Sequence, residues 1–365
     1  MKKISKWATL ALTGLGVAVA LQKKRRQARR LDFSDQVVLI TGGSRGLGLV
    51  MARQLAAEGA RLALLARDEK ELAQARQDLA TLGPELLLIQ ADVRNREQAT
   101  GAIERVITRF GRLDVLINNA GVIQVGPLEH MKMDDFEEAL AVHFWGPLYL
   151  MMAAIPLMKH QGRGRIVNIA SIGGKVAVPH LLPYSASKFA LTGLSDGMRA
   201  ELAKDNILVT TVNPGLMRTG AHVNALVKGQ HEREFAWFTI LGALPITSTS
   251  AENAAAQIIE ACRYGDAQLI ITLPARLLAS LSHLFPETMA DIMKLTDYFL
   301  PAATARQSDG DTMKRGLESQ SNLAPSVLTR LADEAAKENN ELFLSPQHHN
   351  QEGNQEGMGN GHNSA

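Results

Sequence analysis

The sequence predicts an α/β protein, a doubly wound parallel sheet of about seven strands in a single catalytic-sized domain with a helical C-terminal extension. Three observations predict it. Short apolar runs rich in branched residues recur between residues 37 and 272, the kind that strands buried on both faces require. Stretches with helical apolar spacing separate them, and that alternation means right-handed βαβ crossovers and a parallel sheet. The first strand runs directly into a glycine-rich turn and a helix, an arrangement that presents backbone N–H groups at the sheet's carboxyl edge.

At 365 residues the chain has room for one large α/β domain with extensions, or for two small domains. Its 46% apolar and 21% charged residues are ordinary for a globular protein. A single cysteine, Cys262, excludes an internal disulfide, and no Cys/His spacing of the zinc type occurs, so no metal site is expected. The formal charge of +2 hides an asymmetry: residues 1–30 hold nine Lys/Arg and no acid, which leaves the rest of the chain at −7. An acidic body argues against nucleic acid as a partner, and the basic N-terminus suits an anionic membrane surface.

Residues 7–21 are uncharged and mostly apolar, with three lysines before them and a dense basic run after. Counted from Ile4 the apolar run has 18 residues, about 27 Å as a helix against about 30 Å of hydrocarbon. Lys6 can snorkel and Trp7 suits an interface. The expectation is an uncleaved anchor over residues 1–22 that leaves the body on the cytoplasmic side of a membrane, because positive charge stays there. A signal peptide ending in Ala18-Val19-Ala20 and a buried or peripheral helix are the alternatives. Residues 23–35 then form a basic linker.

The domain is expected over residues 36–273. Its first strand, 37–40, leads into Thr41-Gly42-Gly43-Ser44-Arg45-Gly46-Leu47-Gly48 and then a helix, which sets backbone N–H groups against a pyrophosphate. Gly42, Ser44, Arg45, Gly46, Leu47 and Gly48 are therefore candidate cofactor contacts. The second strand, 61–67, ends in Arg67, where a site selective for NAD usually has an acid for the ribose diol. Arg67 and Arg45 together suit a 2′-phosphate, so NADP(H) is expected over NAD(H), with Asp68 as the contrary sign. The third strand, 85–93, ends in Asp92 and Val93; Asp92 is placed to accept from an adenine amino group. After a helix over 95–110, the fourth strand closes on Asn118-Asn119-Ala120-Gly121, whose small residues let a ring pass close to the backbone.

A long helical stretch covers residues 134–160. The fifth strand, 164–171, puts Ser171 at its carboxyl end, where open α/β sheets bind ligands. The next helix, 184–203, carries Tyr184 and Lys188 at i and i+4 on one face. A lysine cation beside a phenol pulls its pKa down from about 10, which makes Tyr184 a usable acid near neutral pH. A sixth strand (207–215), a helix (251–264) and a seventh strand (267–272) complete the pattern.

The order T-G-x-x-x-G-x-G, N-N-A-G, Ser, Y-x-x-x-K, P-G, with 13 residues from Ser171 to Tyr184, resembles the short-chain dehydrogenase/reductase family over about residues 36–273. The resemblance implies a Rossmann-like fold and hydride transfer between C4 of a nicotinamide and a carbonyl carbon. It implies that Tyr184 protonates the carbonyl oxygen, that Ser171 hydrogen-bonds that oxygen, and that Lys188 lowers the Tyr184 pKa and holds the nicotinamide ribose. Asn119, Ala120, Gly121, Pro214, Gly215 and Thr219 then belong to the cofactor site, with Thr219 matching the family's P-G-x-x-x-T. Where the family usually has asparagine, this chain has Val142-His143-Phe144-Trp145-Gly146. His143 is either part of the catalytic group, through a backbone carbonyl that holds a relay water, or a helix-packing histidine. Family members are often dimers or tetramers, which implies a homo-oligomer.

Residues 216–249 stand where the family keeps a substrate-binding segment; Phe235, Trp237, Phe238, Ile240 and Leu241 form either an apolar pocket wall or core packing. Residues 274–301 read as an amphipathic helical pair split by Pro286 and too charged to cross a membrane. Residues 302–365 turn polar and are expected to be largely disordered, with a modest helix around 326–338. The function expected is membrane-tethered, NADP(H)-dependent reduction of a lipophilic small-molecule ketone or aldehyde. The alternative is a non-catalytic NADP(H)-binding scaffold or redox sensor at the membrane.

Overall fold

In a computed structural model, which describes residues 20–305 and 310–342, the seven expected strands form one parallel sheet. The dinucleotide half runs β1 (Val37–Thr41), α1 (Gly46–Ala57), β2 (Arg61–Ala66), α2 (Glu69–Leu79), β3 (Leu86–Gln90), α3 (Arg96–Phe110) and β4 (Val115–Asn118). Then come β5 (Gln124–Val125), α4 (Met133–Leu140), α5 (Gly146–His160), β6 (Gly164–Ile169), α6 (Leu182–Leu202), β7 (Ile207–Pro214) and β8 (Leu216–Arg218). The remainder is β9 (Leu226–Val227), α7 (His231–Ala243), β10 (Ser248–Ser250), α8 (Ala251–Tyr264), β11 (Gln268–Ile271), α9 (Leu273–Leu284), α10 (Pro286–Phe299), β12 (Lys314–Arg315) and α11 (Arg330–Glu338).

The strand order of the main sheet is β11-β7-β6-β4-β1-β2-β3. Winding reverses between β1 and β4, so the loops leaving those two strands part and open a crevice at their carboxyl ends. β1 shows why the sheet is buried on both sides. All five of its residues are buried; Val38 and Ile40 face a core shared with α1, α2 and α8, while Val37 and Leu39 face one shared with α3, α5 and α6. That is the period-two alternation of a strand between two helical layers.

Four departures from the sequence expectation have physical reasons. The helix expected over 134–160 is interrupted by a π segment, Ala141–Trp145. Pro147 has no N–H, so the carbonyl four residues back, that of His143, lacks its α-helical donor. Residues 23–35 are not a free linker: residues 20–28 are helical, Arg26 makes a two-pronged pair with Asp266 at 2.9 Å, Leu31 N–H bonds the Arg263 carbonyl at 2.8 Å, and Phe33 is fully buried. Five short strands add a two-stranded sheet (β10-β8) and a three-stranded one (β12-β9-β5).

The largest departure is the tail. Residues 310–342, expected to be mostly disordered, fold onto the domain: β12 pairs antiparallel with β9, and α11 packs on residues 219–224. Polar composition hid this because the buried side of α11 is built from Ala332, Ala335 and Ala336, small residues that dock against glycine rather than forming a bulky apolar stripe. A Cβ on Gly220 would overlap Ala336 Cα. Residues 348–365 and the anchor-like residues 1–19 lie outside the described residues. Among the described residues, the one helical stretch long and apolar enough to cross a membrane is Met133–His160, and its Leu150, Met151, Ala154 and Met158 are fully buried against the sheet, as in a core helix.

Candidate active site

The crevice begins where β1 and β4 end. Thr41 Oγ1 accepts from the backbone N–H groups of Asn119 (2.9 Å) and Ala120 (3.0 Å), and Asn119 Nδ2 donates to the carbonyls of Thr41 (3.0 Å) and Gly42 (3.2 Å). The glycine turn is thereby locked to the Asn118-Asn119-Ala120-Gly121 turn. Gly46 has φ +54, and a Cβ on Gly48 would collide with the Gly42 carbonyl oxygen, so neither position admits a side chain without shifting the turn. α1 starts from this turn without a side-chain cap, which leaves its first N–H groups for another acceptor.

A cleft of about 1040 Å³ follows the carboxyl edge of the sheet and brings together every residue proposed for the cofactor and catalytic sites except Gly48, whose part is to let the turn close on itself. At the β2 end of the cleft Arg67 is exposed and makes no ion pair among the described residues. Asp68 caps α2, accepting from the N–H groups of Lys70 (2.8 Å) and Glu71 (3.1 Å). Two expectations need correction here. Arg45 is not a free second cation: its guanidinium pairs with Glu71 at 3.1 Å and Glu341 at 3.4 Å. Asp92 is not a free acceptor either, since Arg94, two residues on, grips both its oxygens at 2.6 to 3.1 Å. Burial alone would raise the Asp92 pKa, but the Arg94 contacts outweigh it and hold the carboxyl below its ordinary value. Val93, beside it, packs on Gly146.

At the other end, Ser171, two residues beyond β6, caps the short turn Ile172–Gly174, its Oγ accepting from Gly173 N–H at 3.0 Å. Tyr184 and Lys188 enter from the first two turns of α6, with Lys188 Nζ 5.6 Å from the Tyr184 ring centre. The expected lowering of the Tyr184 pKa by Lys188 is not what the geometry produces. Burial raises the phenol above its ordinary value, and a hydrogen bond with Ser171 offsets part of that rise. Lys188 Nζ donates to the Ile169 carbonyl at 2.9 Å, and burial pulls its own pKa to about 7. An amine that is half neutral near pH 7 lends little positive charge to its neighbour.

His143 sits in the π segment, fully buried, its ring edge-on to Tyr184 with centroids 5.4 Å apart. Its Nε2 accepts from Val122 N–H at 3.1 Å, which puts the proton on Nδ1; Nδ1 then donates to Ser187 Oγ at 2.8 Å, and Ser187 donates to the Tyr184 carbonyl at 2.8 Å. Burial, and Lys188 nearby, push its pKa well down, so the ring is neutral. With both nitrogens engaged, the side chain is a strut between the turn after β4 and the second turn of α6.

Pro214, Gly215 and Thr219 line the cleft where β7 ends. A Cβ on Gly215 would come within 2.5 Å of Thr272 Oγ1. Of the apolar residues in the substrate segment, Trp237, Phe238 and Leu241 line the cleft, whereas Phe235 is core, packed with Val227 and Ala324, and Ile240 does neither. Three residues that sequence inspection missed also border the cleft: Asn224, Arg315 and Glu341. No local pattern announces the last two, which arrive with the tail; Thr41 was visible as the first letter of the glycine motif. The lining fits a dinucleotide, with uncapped helix N–H groups and glycines along its middle, a cation at one end and the Ser171–Tyr184–Lys188 group at the other.

The buried lysine has a consequence for stability. Its folded-state pKa of about 7 lies below its ordinary 10.5, so between those values the unfolded chain binds the extra proton and stability rises with pH. Thermal melts of wild type and Lys188→Met without cofactor, taken from pH 6.5 to 9.5, should show the wild type gaining on the variant as pH rises. A difference that stays constant across that range would refute the assignment.

A family model described as short chain dehydrogenase matches residues 36–228. A dehydrogenase/reductase SDR family protein 7-like from Anopheles gambiae is 32% identical over 292 residues, which are 78% of this chain and 90% of that protein. L-Sorbose reductase from Gluconobacter frateurii, solved with NADPH and L-sorbose, is 26% identical with a TM-score of 0.60, the match covering 66% of this chain and 97% of that one. NAD+-bound xylitol dehydrogenase is 28% identical with a TM-score of 0.58, covering 66% and 99%. Similar structures thus hold either dinucleotide, and the sheet order, the matched residues and the relatives agree that this chain belongs to the short-chain dehydrogenase/reductase family of oxidoreductases.

Proposed function

We propose that the protein is an NADP(H)-dependent reductase of a lipophilic ketone or aldehyde. The observation that carries this is the gathering of Ser171, Tyr184 and Lys188 on one wall of the cleft that also runs past the glycine turn to Arg67. The cofactor supplies the hydride, and the protein positions and polarises. Because burial keeps Tyr184 a neutral phenol, it stands in the acid form at neutral pH and gives its proton to the carbonyl oxygen. Ser171 takes a hydrogen bond from Gly173 N–H, and its own hydrogen, which serves Tyr184 in the free protein, would stabilise charge on that oxygen once a substrate is bound. Lys188, on the Ile169 carbonyl here, would hold the ribose hydroxyls of a bound dinucleotide, and the His143 carbonyl, which Pro147 cannot serve as an α-helical donor, would hold a water that returns a proton to the site.

The 2′-phosphate preference rests on Arg67, which is exposed and without an ion pair among the described residues, and on Asp68, whose carboxylate is committed to capping α2. The lipophilic substrate rests on Trp237, Phe238 and Leu241 from α7, with Leu278 from α9 and Met293 from α10, all lining the cleft. On α9, α10 and the residue between them, Leu277, Leu284, Phe285, Leu295 and Phe299 are exposed.

Tyr184→Phe should bind NADPH as the wild type does and lose turnover by about 10²–10⁴-fold; unchanged turnover would remove Tyr184 from the chemistry. Arg67→Asp should weaken NADPH far more than NADH in equilibrium titrations, and equal losses would contradict the 2′-phosphate assignment. For substrate class, kcat/KM measured by NADPH oxidation should favour long-chain or polycyclic ketones over small polar ones, and parity between them would end the lipophilic proposal.

A further inference from the structure

The turn that follows α11 lies on the glycine turn. Asn340 adopts a left-handed backbone, φ 60, and brings residues 339–341 back across residues 44–47. Gly46 N–H, at the uncapped start of α1, donates to the Asn339 carbonyl at 2.8 Å. Asn340 Nδ2 donates to the Ser44 carbonyl at 3.0 Å, and Arg53 holds Asn339 Oδ1 at 2.9 Å. The Glu341 carboxylate, 4% exposed, takes Arg45 Nε at 3.4 Å and Asn224 Nδ2 at 2.7 Å, and its Oε1 lies where a Cβ on Gly46 would stand. A peptide carbonyl and a carboxylate thus sit between the glycine turn and residues 219–224, midway along the cleft, on donors that suit phosphate oxygens.

We propose that residues 339–341 are a built-in stand-in for the dinucleotide's phosphates: they close the cofactor track of the free protein and leave it when the dinucleotide binds. This rests on the dinucleotide reading of the cleft. The Gly46 N–H and the Arg45 guanidinium cannot serve both occupants, and phosphates brought beside Glu341 repel it. The seat holds a carboxylate poorly, because burial lifts the Glu341 pKa and Arg45 and Asn224 offset only part of that rise. Little has to move. α11 stays fixed by Gly220 against Ala336 and by His222 Nε2 to Asp333 at 3.1 Å, so the motion is confined to the turn after it. A cleft that must first open binds its ligand more weakly by the fraction that is open.

Dissociation constants of NADPH and NADH for the full chain, wild type and Glu341→Ala, test this directly. The variant should bind both dinucleotides about tenfold more tightly. Equal affinities, or weaker binding by the variant, would overturn the stand-in and leave the dinucleotide reading intact; no binding of either dinucleotide to either protein would overturn both. Hydrogen exchange of the wild type removes dependence on the variant's folding. Saturating NADPH should slow exchange over residues 42–47 and speed it over 339–342, and slower or unchanged exchange at 339–342 would sink the proposal.

Discussion

The position of the Ser171, Tyr184 and Lys188 side chains depends on a chain of buried polar contacts inside the sheet. Asn118 Nδ2 donates to Asn168 Oδ1 at 2.8 Å, Asn168 Nδ2 donates to Ser195 Oγ at 3.0 Å, and Ser195 Oγ hydrogen-bonds Thr211 Oγ1 at 2.8 Å, whose own hydrogen goes to Asp196. Asn118, Asn168, Ser195 and Thr211 come from β4, β6, α6 and β7 and are almost wholly buried. Leaving any one unsatisfied costs about 1–3 kcal/mol, so the three strands and α6 share a single register. Ser195 lies two turns along α6 from Lys188, on the same face. Fixing Ser195 against Asn168 therefore fixes Lys188 Nζ on the Ile169 carbonyl and Tyr184 beside Ser171. A slip of one helical turn, about 5.4 Å, would break the network and the site together.

What could be read from the sequence follows from what is local. The strands and helices of residues 37–272 declare themselves through periodicity, and the glycine turn through its place between strand and helix. Tyr184 and Lys188 share a face because the helix period requires it. Even the Asp92–Arg94 pairing was within reach, being a contact of near neighbours. What stayed hidden was made by distance. The two carboxylates on Arg45 come from residues 26 and 296 positions away, so no inspection of the glycine loop could show its arginine already paired. The pKa order at Tyr184 and Lys188 depends on how much water each has lost, which residue spacing does not report. His143 could be placed on a helix but not in a π segment with both nitrogens bonded.

His143 illustrates how a departure from a family pattern can be structurally conservative. A neutral imidazole with Nδ1–H toward Ser187 and Nε2 toward Val122 N–H spans the gap between the turn after β4 and the start of α6. A Cβ on Gly121 would lie only 3.1 Å from that Nε2, so the glycine makes room for the histidine. The carbonyl of the same residue is freed of its helical donor by Pro147, not by the side chain. Side chain and carbonyl are thus independent features, and exchanging the first leaves the second in place.

The cleft wall is assembled from parts far apart in sequence, and the tail joins them. β12 pairs with β9, which pairs with β5, so residues 314–315 are tied through residues 226–227 to the segment after the β4 turn. α11 packs on residues 219–224, and the turn after it reaches the glycine turn. His180, buried like His222, adds a further tie: its Nδ1 bonds Glu234 of α7 at 2.9 Å, and Trp237 Nε1 donates to the same carboxylate at 2.7 Å. The wall formed by these elements is therefore not a loose flap but a set of elements braced by buried hydrogen bonds. Within it the turn at residues 339–341 differs, because it spends a buried carboxylate on donors that the cleft's own ligand would use. The ties of that turn to Gly46, Ser44, Arg53 and Asn224 all lie at the end of the tail, so the exchange proposed above would confine rearrangement there.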